Sequence, residues 1–236
     1  MNGFDNEKEL IESINSKSFN GLSENLKNVL IKINGGNIPN SLCAEKYGGT
    51  DKADLSITID NKQYFLSVKK GTGNSVHQEP IEDFIIFLRL NFEDDESVFN
   101  DLRHFIWGDG TLDGTGKVNN RISASKYKKD YPEKVKNIQD YFNKHKKELL
   151  ERFLITGAVS NKKTDYLFYG NINNCNVVSN IEMICFAINV NKRPISIGVL
   201  TFQAWNRNIN GGNKSEHKRG QIQLKWSGLK DDIKNI

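Results

Sequence analysis

The sequence predicts an α/β protein with a mixed central β-sheet flanked by helices. Two strand-like segments joined by a tight turn lie near residue 60, two segments with helical spacing precede them, and further strand-like segments occupy the last third of the chain. A chain of 236 residues with 37% hydrophobic content can bury one substantial core. We therefore expect a single domain, 1–236, divided into a core (about 45–92), a helical insertion (about 94–155) and C-terminal strands (about 160–236).

Two amphipathic helices are predicted before the first strand. Residues 5–17 and 22–33 both carry apolar side chains at helical spacing, such as Leu10 and Ile14 in the first segment. A pair of glycines after the second segment predicts its end.

A β-hairpin is predicted next, and it is the strongest local pattern in the chain. Residues 53–60 alternate aliphatic side chains (Leu55, Ile57, Ile59) with polar ones, which is typical of a half-buried strand. The turn Asp60-Asn61-Lys62 then leads into a second strand, 63–69.

The remaining elements are predicted more coarsely. A Gly-rich loop leads to Pro80, which suits the first turn of a helix at 81–92. The insertion holds a long polar helix at about 131–153, and the segment 181–190 fits either a helix or a strand. Three further strands are predicted, at 165–169, 195–202 and 220–226.

Composition excludes several classes of protein. No segment approaches the roughly 20 apolar residues of a membrane span, and the N-terminus has no apolar signal region, so we expect a cytoplasmic protein with no membrane partner. Three cysteines without CxxC spacing argue against both a disulfide framework and a structural zinc site. The net charge of +4 is only mildly basic, but lysine and arginine are dense at 126–152 and 213–225. A solvated helix face explains the first run at least as well as DNA contact does. For the second run, phosphate contact is nearly as good an explanation as a plain loop.

The hairpin carries an aspartate, Asp54, near the start of one strand and the triplet Ser67-Val68-Lys69 at the end of the next. Because side chains alternate along a strand, Ser67 and Lys69 should point to the same face. This arrangement resembles the restriction-endonuclease-like nucleases, the PD-(D/E)XK superfamily, in which an aspartate and an acid-X-lysine triplet meet at one edge of a mixed sheet. The resemblance covers residues 45–92 and extends to the rest of the chain by topology.

The resemblance implies a metal-dependent endonuclease, with Mg²⁺ as the cofactor and Mn²⁺ able to substitute. Asp54 would hold the metal, and Lys69 would orient or deprotonate the attacking water. The sequence departs from the family pattern at Ser67, which stands where an aspartate or glutamate is usual, so a second carboxylate must come from elsewhere. Glu79, next to Pro80, is the first candidate for both a metal ligand and a catalytic residue, and Glu24 and Glu45 are the alternatives.

The loop after the hairpin is dense in polar side chains. His77 and Gln78 are candidate catalytic residues, through phosphate contact or proton transfer for His77 and through water binding for Gln78. A surface role for His77 is the alternative. We also predict DNA contacts for the polar residues around them, Lys70, Asn74 and Ser75.

The C-terminal strands hold the candidate base-reading residues. Arginine suits guanine, and asparagine or glutamine suits adenine, so the polar residues around Trp205 are candidates for major-groove contacts. Packing of Trp205 and Trp226 in the core, with the polar residues covering a loop, is an equal alternative. The predicted DNA-binding residues here are Gln203, Asn206, Arg207, Asn208, Lys218, Arg219, Gln223 and Lys225.

The partners implied are duplex DNA and a second copy of the chain, because cutting both strands at a symmetric site needs two active centres. A cognate DNA methyltransferase would accompany a restriction enzyme, and the sequence leaves open whether one exists. Two other functions stay open: a DNA-binding module of the same fold that has lost catalysis, and an RNA-acting nuclease or toxin.

Overall fold

The computed structural model describes residues 3–47, 51–71, 74–158 and 163–236. The chain divides into two compact units, each with its own sheet. The first unit comprises 1–74, 151–187 and 227–236, and the second comprises 75–150 and 188–226.

The helices, in chain order, are α1 (Gly3–Ser16), α2 (Glu24–Ile33), α3 (Ile81–Asn91), α4 (Glu96–Trp107), α5 (Ala124–Asp130), α6 (Pro132–Lys144), α7 (Lys146–Glu151), α8 (Asn180–Asn189) and α9 (Leu229–Asp232). The strands are β1 (Leu42–Lys46), β2 (Leu55–Ile59), β3 (Lys62–Lys69), β4 (Ser75–Pro80), β5 (Tyr166–Asn171), β6 (Asn174–Ser179), β7 (Ser196–Ile197), β8 (Leu200–Ala204) and β9 (Gln221–Lys225). None of the helices in the described ranges is long and apolar enough to cross a membrane.

The first unit is built on a five-stranded mixed sheet with the order β1-β2-β3-β5-β6. All neighbouring strands are antiparallel except β3 and β5, which run parallel with Lys69 opposite Tyr169. The alternating side chains Leu55, Ile57 and Ile59 are fully buried in its core, as their period of two requires.

Helix α1 packs on this sheet through Leu10 and Ile14, which belong to the same buried cluster as the β2 side chains. The Asn15 side chain fixes the helix to β1 with two hydrogen bonds, one donated to the Ala44 carbonyl and one accepted from the Ala44 N–H, both 2.8 Å long. Helix α2 begins at Ser23, whose hydroxyl accepts a hydrogen bond from the Leu26 N–H.

The second unit holds a four-stranded antiparallel sheet with the order β4-β9-β8-β7. Its core is aromatic, because Phe84 of α3, Phe142 of α6 and Phe202 of β8 are fully buried with ring centroids 5.0 to 6.4 Å apart. Trp226, just after β9, is also fully buried.

The predicted fold class is confirmed, and so is the hairpin. Its turn residues Asp60 and Asn61 have φ angles of 48° and 69°, the left-handed conformation that a two-residue hairpin turn requires. Both helices before the hairpin are present, and the ambiguous segment 181–190 lies in helix α8.

Other features of the secondary structure differ from the predictions. The predicted strand 195–202 is divided into β7 and β8, which pair with each other in antiparallel orientation. Residues 75–80 form strand β4 where a loop was predicted, and Pro80 ends that strand instead of starting the helix. Strands β1 and β6 were not predicted. The polar helix at 131–153 is divided at His145 into α6 and α7, and a π-helical turn, Arg152–Thr156, follows.

Candidate active site

The carboxylate of Asp54 accepts hydrogen bonds from three groups of the triplet on β3. Its Oδ2 atom lies 2.6 Å from the Val68 N–H nitrogen, 3.1 Å from the Ser67 hydroxyl and 3.3 Å from Lys69 Nζ. The hairpin register produces this cluster, because the Asp54 N–H donates to the Leu66 carbonyl at 2.8 Å, just ahead of β2. The structure therefore brings Asp54, Ser67 and Lys69 together, as the alternation of the strand predicts.

Two hydrogen bonds fix the position of the Lys69 ammonium group. Its ammonium donates to Asp54 and, at 3.0 Å, to the Val68 carbonyl. The side chains of Lys69 and Asp54 keep 20% and 28% of their surface exposed, so the pair is screened by protein yet open to a ligand. A charged donor and a carboxylate in such a half-buried position interact more strongly than a surface ion pair.

Glu7 of helix α1 interacts electrostatically with this cluster, and the sequence prediction did not include it. Burial raises the pKa of Glu7, and the charge of Asp54 raises it further, while Lys46 and Lys69 oppose both effects. Glu7 shares a helix face with Leu10 and with the residue one turn later at position 14, which pack on the sheet. The sequence did contain a signal for Glu7, because an acidic residue on the apolar face of an amphipathic helix is unusual.

Two further lysines bring positive charge to the cluster. Burial lowers the pKa of Lys52 to about 7, the charge of Lys69 lowers it further, and Asp54 acts in the opposite direction. Lys46, an exposed residue at the end of β1, interacts electrostatically with Glu7. The site thus combines two carboxylates with three lysines, of which Lys52 is only partly charged near neutral pH, all within the first unit.

Glu79 and His77 form a different cluster, in the second unit. Both lie on one face of β4 and are buried, at 4% and 8% exposure, with His77 Nε2 2.9 Å from Glu79 Oε1. Gln78 points to the opposite, exposed face and donates to the Ser75 hydroxyl at 3.0 Å. The other two candidate acids are exposed: Glu24 pairs with Lys27 of α2, and Glu45 lies in β1.

Four of the predicted DNA-binding residues are buried inside the second unit, namely Gln223 and the three residues Arg207, Asn208 and Arg219. The guanidinium of Arg207 lies 4.7 Å over the ring of Phe105 and donates to the carbonyl of the same residue. Arg219 donates to the buried carboxylate of Asp109 at 2.6 Å. Asn208 adopts a left-handed φ of 48° and is 6% exposed. These contacts hold the unit together, so we do not include the three side chains in a DNA-contact surface.

Gln223 and Asn74 are also engaged within the protein. Gln223 accepts from Gln203 at 3.0 Å and donates to the Ser75 hydroxyl at 3.3 Å, which links three strands of the second sheet. Asn74 is buried and donates to the Gly71 carbonyl at 3.1 Å. Gln203 and Ser75 remain partly exposed.

The other predicted DNA-binding residues keep exposed surface. Lys70 is exposed at the end of β3, while Asn206, Lys218 and Lys225 are partly exposed in the second unit. The Lys218 ammonium lies 5.1 Å over the ring of Trp205. These side chains are accessible to a partner without a change in the core.

The donor set around Asp54 is compatible with a magnesium ion. Within the described ranges, no group of three or more histidine, cysteine, aspartate or glutamate side chains is placed to hold a metal. Asp54 and Glu7 nevertheless offer two carboxylates, the hard oxygen ligands that Mg²⁺ prefers, and Mg²⁺ commonly completes its shell with water and substrate phosphate. All hydrogen bonds between described residues and the Asp54 carboxylate go to Oδ2, which leaves Oδ1 for a cation.

Comparison with known proteins supports the fold. Neither models of known protein families nor curated proteins match the sequence. Among solved structures, the chain is similar to the restriction endonuclease MspI in complex with its cognate DNA, with a TM-score of 0.56 and 14% sequence identity over 84% of this chain and 76% of that one. The chain therefore has a restriction-endonuclease-like fold.

Proposed function

We propose that the chain is a metal-dependent endonuclease that hydrolyses phosphodiester bonds in duplex DNA. The observation that carries the proposal is the Asp54–Lys69 pair, whose charged groups are 3.3 Å apart, with Asp54 just ahead of β2 and Lys69 at the end of β3. A carboxylate and an ammonium fixed together fit phosphoryl chemistry, which needs a cation site and a group that positions water. The likeness to MspI, a restriction endonuclease bound to DNA, supports a nuclease and a duplex substrate.

Asp54 and Glu7 would hold Mg²⁺, with Mn²⁺ as a substitute. When bound, the ion would neutralise charge on the phosphate and make water more acidic. Lys69 would orient the attacking water, because its two hydrogen bonds to Asp54 and to the Val68 carbonyl fix the ammonium. Lys46 would add positive charge near the phosphate, and Lys52, whose pKa burial lowers to about 7, would add less.

Glu7 replaces Glu79 in this proposal as the second acid. Glu7 interacts electrostatically with both Asp54 and Lys69, whereas the Glu79 carboxylate is buried beside His77 on a strand of the second sheet. The proposed DNA contacts are then the exposed or partly exposed side chains Lys70, Ser75, Gln78, Gln203, Asn206, Lys218 and Lys225. A homodimer would cut both strands at a symmetric site.

Cleavage of supercoiled plasmid and phage DNA tests the proposal. With Mg²⁺ or Mn²⁺ we expect discrete fragments, and with EDTA none. Asp54→Asn and Lys69→Ala should each lower the rate by about 10²-fold or more. The matched control is Lys17→Ala, which removes an exposed lysine just beyond the end of α1. Equal cleavage by all four proteins, or none by the wild type, contradicts the proposal.

The assignment of the second acid has its own pair of variants. Glu7→Gln should abolish metal-dependent cleavage while leaving DNA binding in EDTA unchanged, because glutamine keeps the shape and loses the charge. Glu79→Gln should cleave as the wild type does, provided that its melting temperature shows a folded protein. Loss of cleavage in a folded Glu79→Gln protein, with cleavage kept in Glu7→Gln, would restore the assignment that the sequence suggested.

Ser67 favours a second candidate, a DNA-binding module without catalysis. A serine hydroxyl is a weaker Mg²⁺ ligand than a carboxylate, and here it donates to Asp54 at 3.1 Å. This function predicts salt-dependent, metal-independent DNA binding with no strand cleavage in any metal. The plasmid assay separates the two candidates directly.

A further inference from the structure

A cavity of about 280 Å³ lies in the first unit, next to the candidate active site. The residues that line it come from the ends of β3, β5 and β6 and from the C-terminal segment around α9. They are Gly71, Tyr169, Gly170, Asn171, Asn174, Cys175, Asn176, Lys230, Ile233 and Lys234.

The cavity begins one strand away from the proposed catalytic lysine. Tyr169, in its wall, is the residue of β5 that pairs with Lys69 across the parallel ladder, and neighbouring strands are about 4.8 Å apart. The Tyr169 hydroxyl donates to the Gly71 carbonyl at 2.8 Å, which ties this wall to the chain just after β3. On the α1 side, the Asn6 side chain donates to the Gly170 carbonyl at 2.9 Å, and the next residue is Glu7. The cavity and the active site thus lie at the same end of the strands of this sheet.

The lining of the cavity is chemically suited to an anion. Lys230 and Lys234 are exposed, and neither ammonium has a hydrogen bond or ion pair with any residue that the structure describes. Asn171 Oδ1 accepts from the N–H groups of Asn173 and Asn174, both at 3.0 Å, so its amino group remains as a donor. No carboxylate lines the described part of the cavity, but Asp231 is close by, since burial and then the charge of Asp231 raise the pKa of Tyr169 in the wall. The Cys175 thiol stays neutral, because burial raises its pKa to about 12.

We propose that this cavity binds a backbone phosphate of the DNA strand that passes through the active site, next to the phosphate that is cleaved. The inference rests on the proposed function and adds a subsite to it. The two lysines supply charge, and the asparagine amino group supplies a directed hydrogen bond. Contacts of this kind fix the register of a nucleic acid without reading its sequence.

The test is the salt dependence of DNA binding, measured in EDTA by fluorescence anisotropy with a labelled duplex. Each phosphate contact contributes about 0.9 to the slope of log Kobs against log salt. Because the cavity is proposed to bind one phosphate, the double variant Lys230→Ala/Lys234→Ala should bind more weakly, with a slope smaller by about 0.9. The conservative variant Lys230→Arg/Lys234→Arg should keep the wild-type slope.

The matched control is a second double variant, which removes two lysine charges away from the cavity but within the same unit. Lys17 follows the C-terminal end of α1, and Lys163 precedes β5, whose other end forms the cavity; both are exposed. Lys17→Ala/Lys163→Ala should bind with the wild-type affinity and slope. If the two alanine variants behave alike while the wild-type protein cleaves DNA, the subsite is wrong and the nuclease stands. If the wild type neither binds nor cleaves nucleic acid, the proposed function fails and the subsite fails with it.

A free phosphate is the other source of the same chemistry. Titration calorimetry with inorganic phosphate distinguishes the two, since a site for backbone phosphate should bind the free ion only weakly. Tight phosphate binding that requires Lys230 and Lys234, together with an unchanged DNA slope in the alanine variant, would overturn the proposal in favour of a small-anion site.

Discussion

The buried ion pair between Asp109 and Arg219 provides a quantitative test of which basic residues support the fold. The Asp109 side chain is fully buried and that of Arg219 is 5% exposed, with Oδ2 and Nη2 2.6 Å apart. Removing one partner of a buried pair costs about 3 to 5 kcal/mol. Arg219 would keep hydrogen bonds to Glu216 and to the Gly114 carbonyl, both at 3.1 Å, so we expect Asp109→Asn to cost about 3 kcal/mol.

Tryptophan fluorescence can follow this loss in the second unit alone. All three tryptophans of the chain, at positions 107, 205 and 226, belong to that unit, and the Arg219 guanidinium lies 5.3 Å over the ring of Trp107. A loss of about 3 kcal/mol should lower the melting temperature by about 6 to 12 °C for a protein of this size. A double-mutant cycle of Asp109→Asn with Arg219→Gln in urea should give a coupling energy of about 1 to 3 kcal/mol.

A different result would support the DNA-binding role that the sequence suggested for Arg219. In that case the Arg219→Gln variant would unfold as the wild type does, but it would bind DNA more weakly, with the slope of log Kobs against log salt reduced by about 0.9. A coupling energy near zero in the cycle would likewise refute the structural role of the pair.

Three further predictions concern single side chains. Hydrogen bonds from Arg121 and Asn208 lower the pKa of Glu216 to about 2 from an ordinary 4.5, so its stabilising effect is complete above pH 4.5 and is lost as the pH falls through 2. The melting-temperature difference between wild type and Glu216→Gln should shrink over that range, and a constant difference would contradict it. Asp165→Ala removes the carboxylate that accepts a hydrogen bond from the Phe65 N–H at 2.8 Å. The free energy of unfolding, measured in urea by circular dichroism, should fall by about 1 to 3 kcal/mol. An unchanged free energy would show that water replaces the carboxylate. Ser67→Ala should keep the DNA cleavage rate within about tenfold, because the Val68 N–H and Lys69 still hold Asp54; a complete loss would make Ser67 essential.

The hairpin and the core of the site could be predicted because they depend on local patterns. The alternation of Leu55, Ile57 and Ile59 determines which face is buried, and the Asp60-Asn61 turn determines the register that brings Asp54 to Lys69. Both signals lie within 16 residues of continuous sequence, from position 54 to 69.

The parts that could not be predicted depend on contacts between distant segments. Glu7 reaches the site only because α1 packs across the sheet, and the pairing of β4 with β9 over more than 140 residues decides that 75–80 is a strand. A run of polar residues followed by proline is typical of a loop. The neighbouring sequence gives no indication of the distant strand with which these residues pair. Arg207 and Arg219 resembled surface arginines, because burial of an arginine depends on aromatic and acidic partners far away in sequence.

The single-turnover rate of DNA strand cleavage by Lys69→Ala, compared with the wild type at saturating Mg²⁺, tests the central claim most directly. We predict a rate lower by about 10² to 10⁴-fold with DNA affinity in EDTA unchanged, because the ammonium next to Asp54 acts on the reacting water. A wild-type cleavage rate in the variant would show that the Asp54–Lys69 pair is not catalytic.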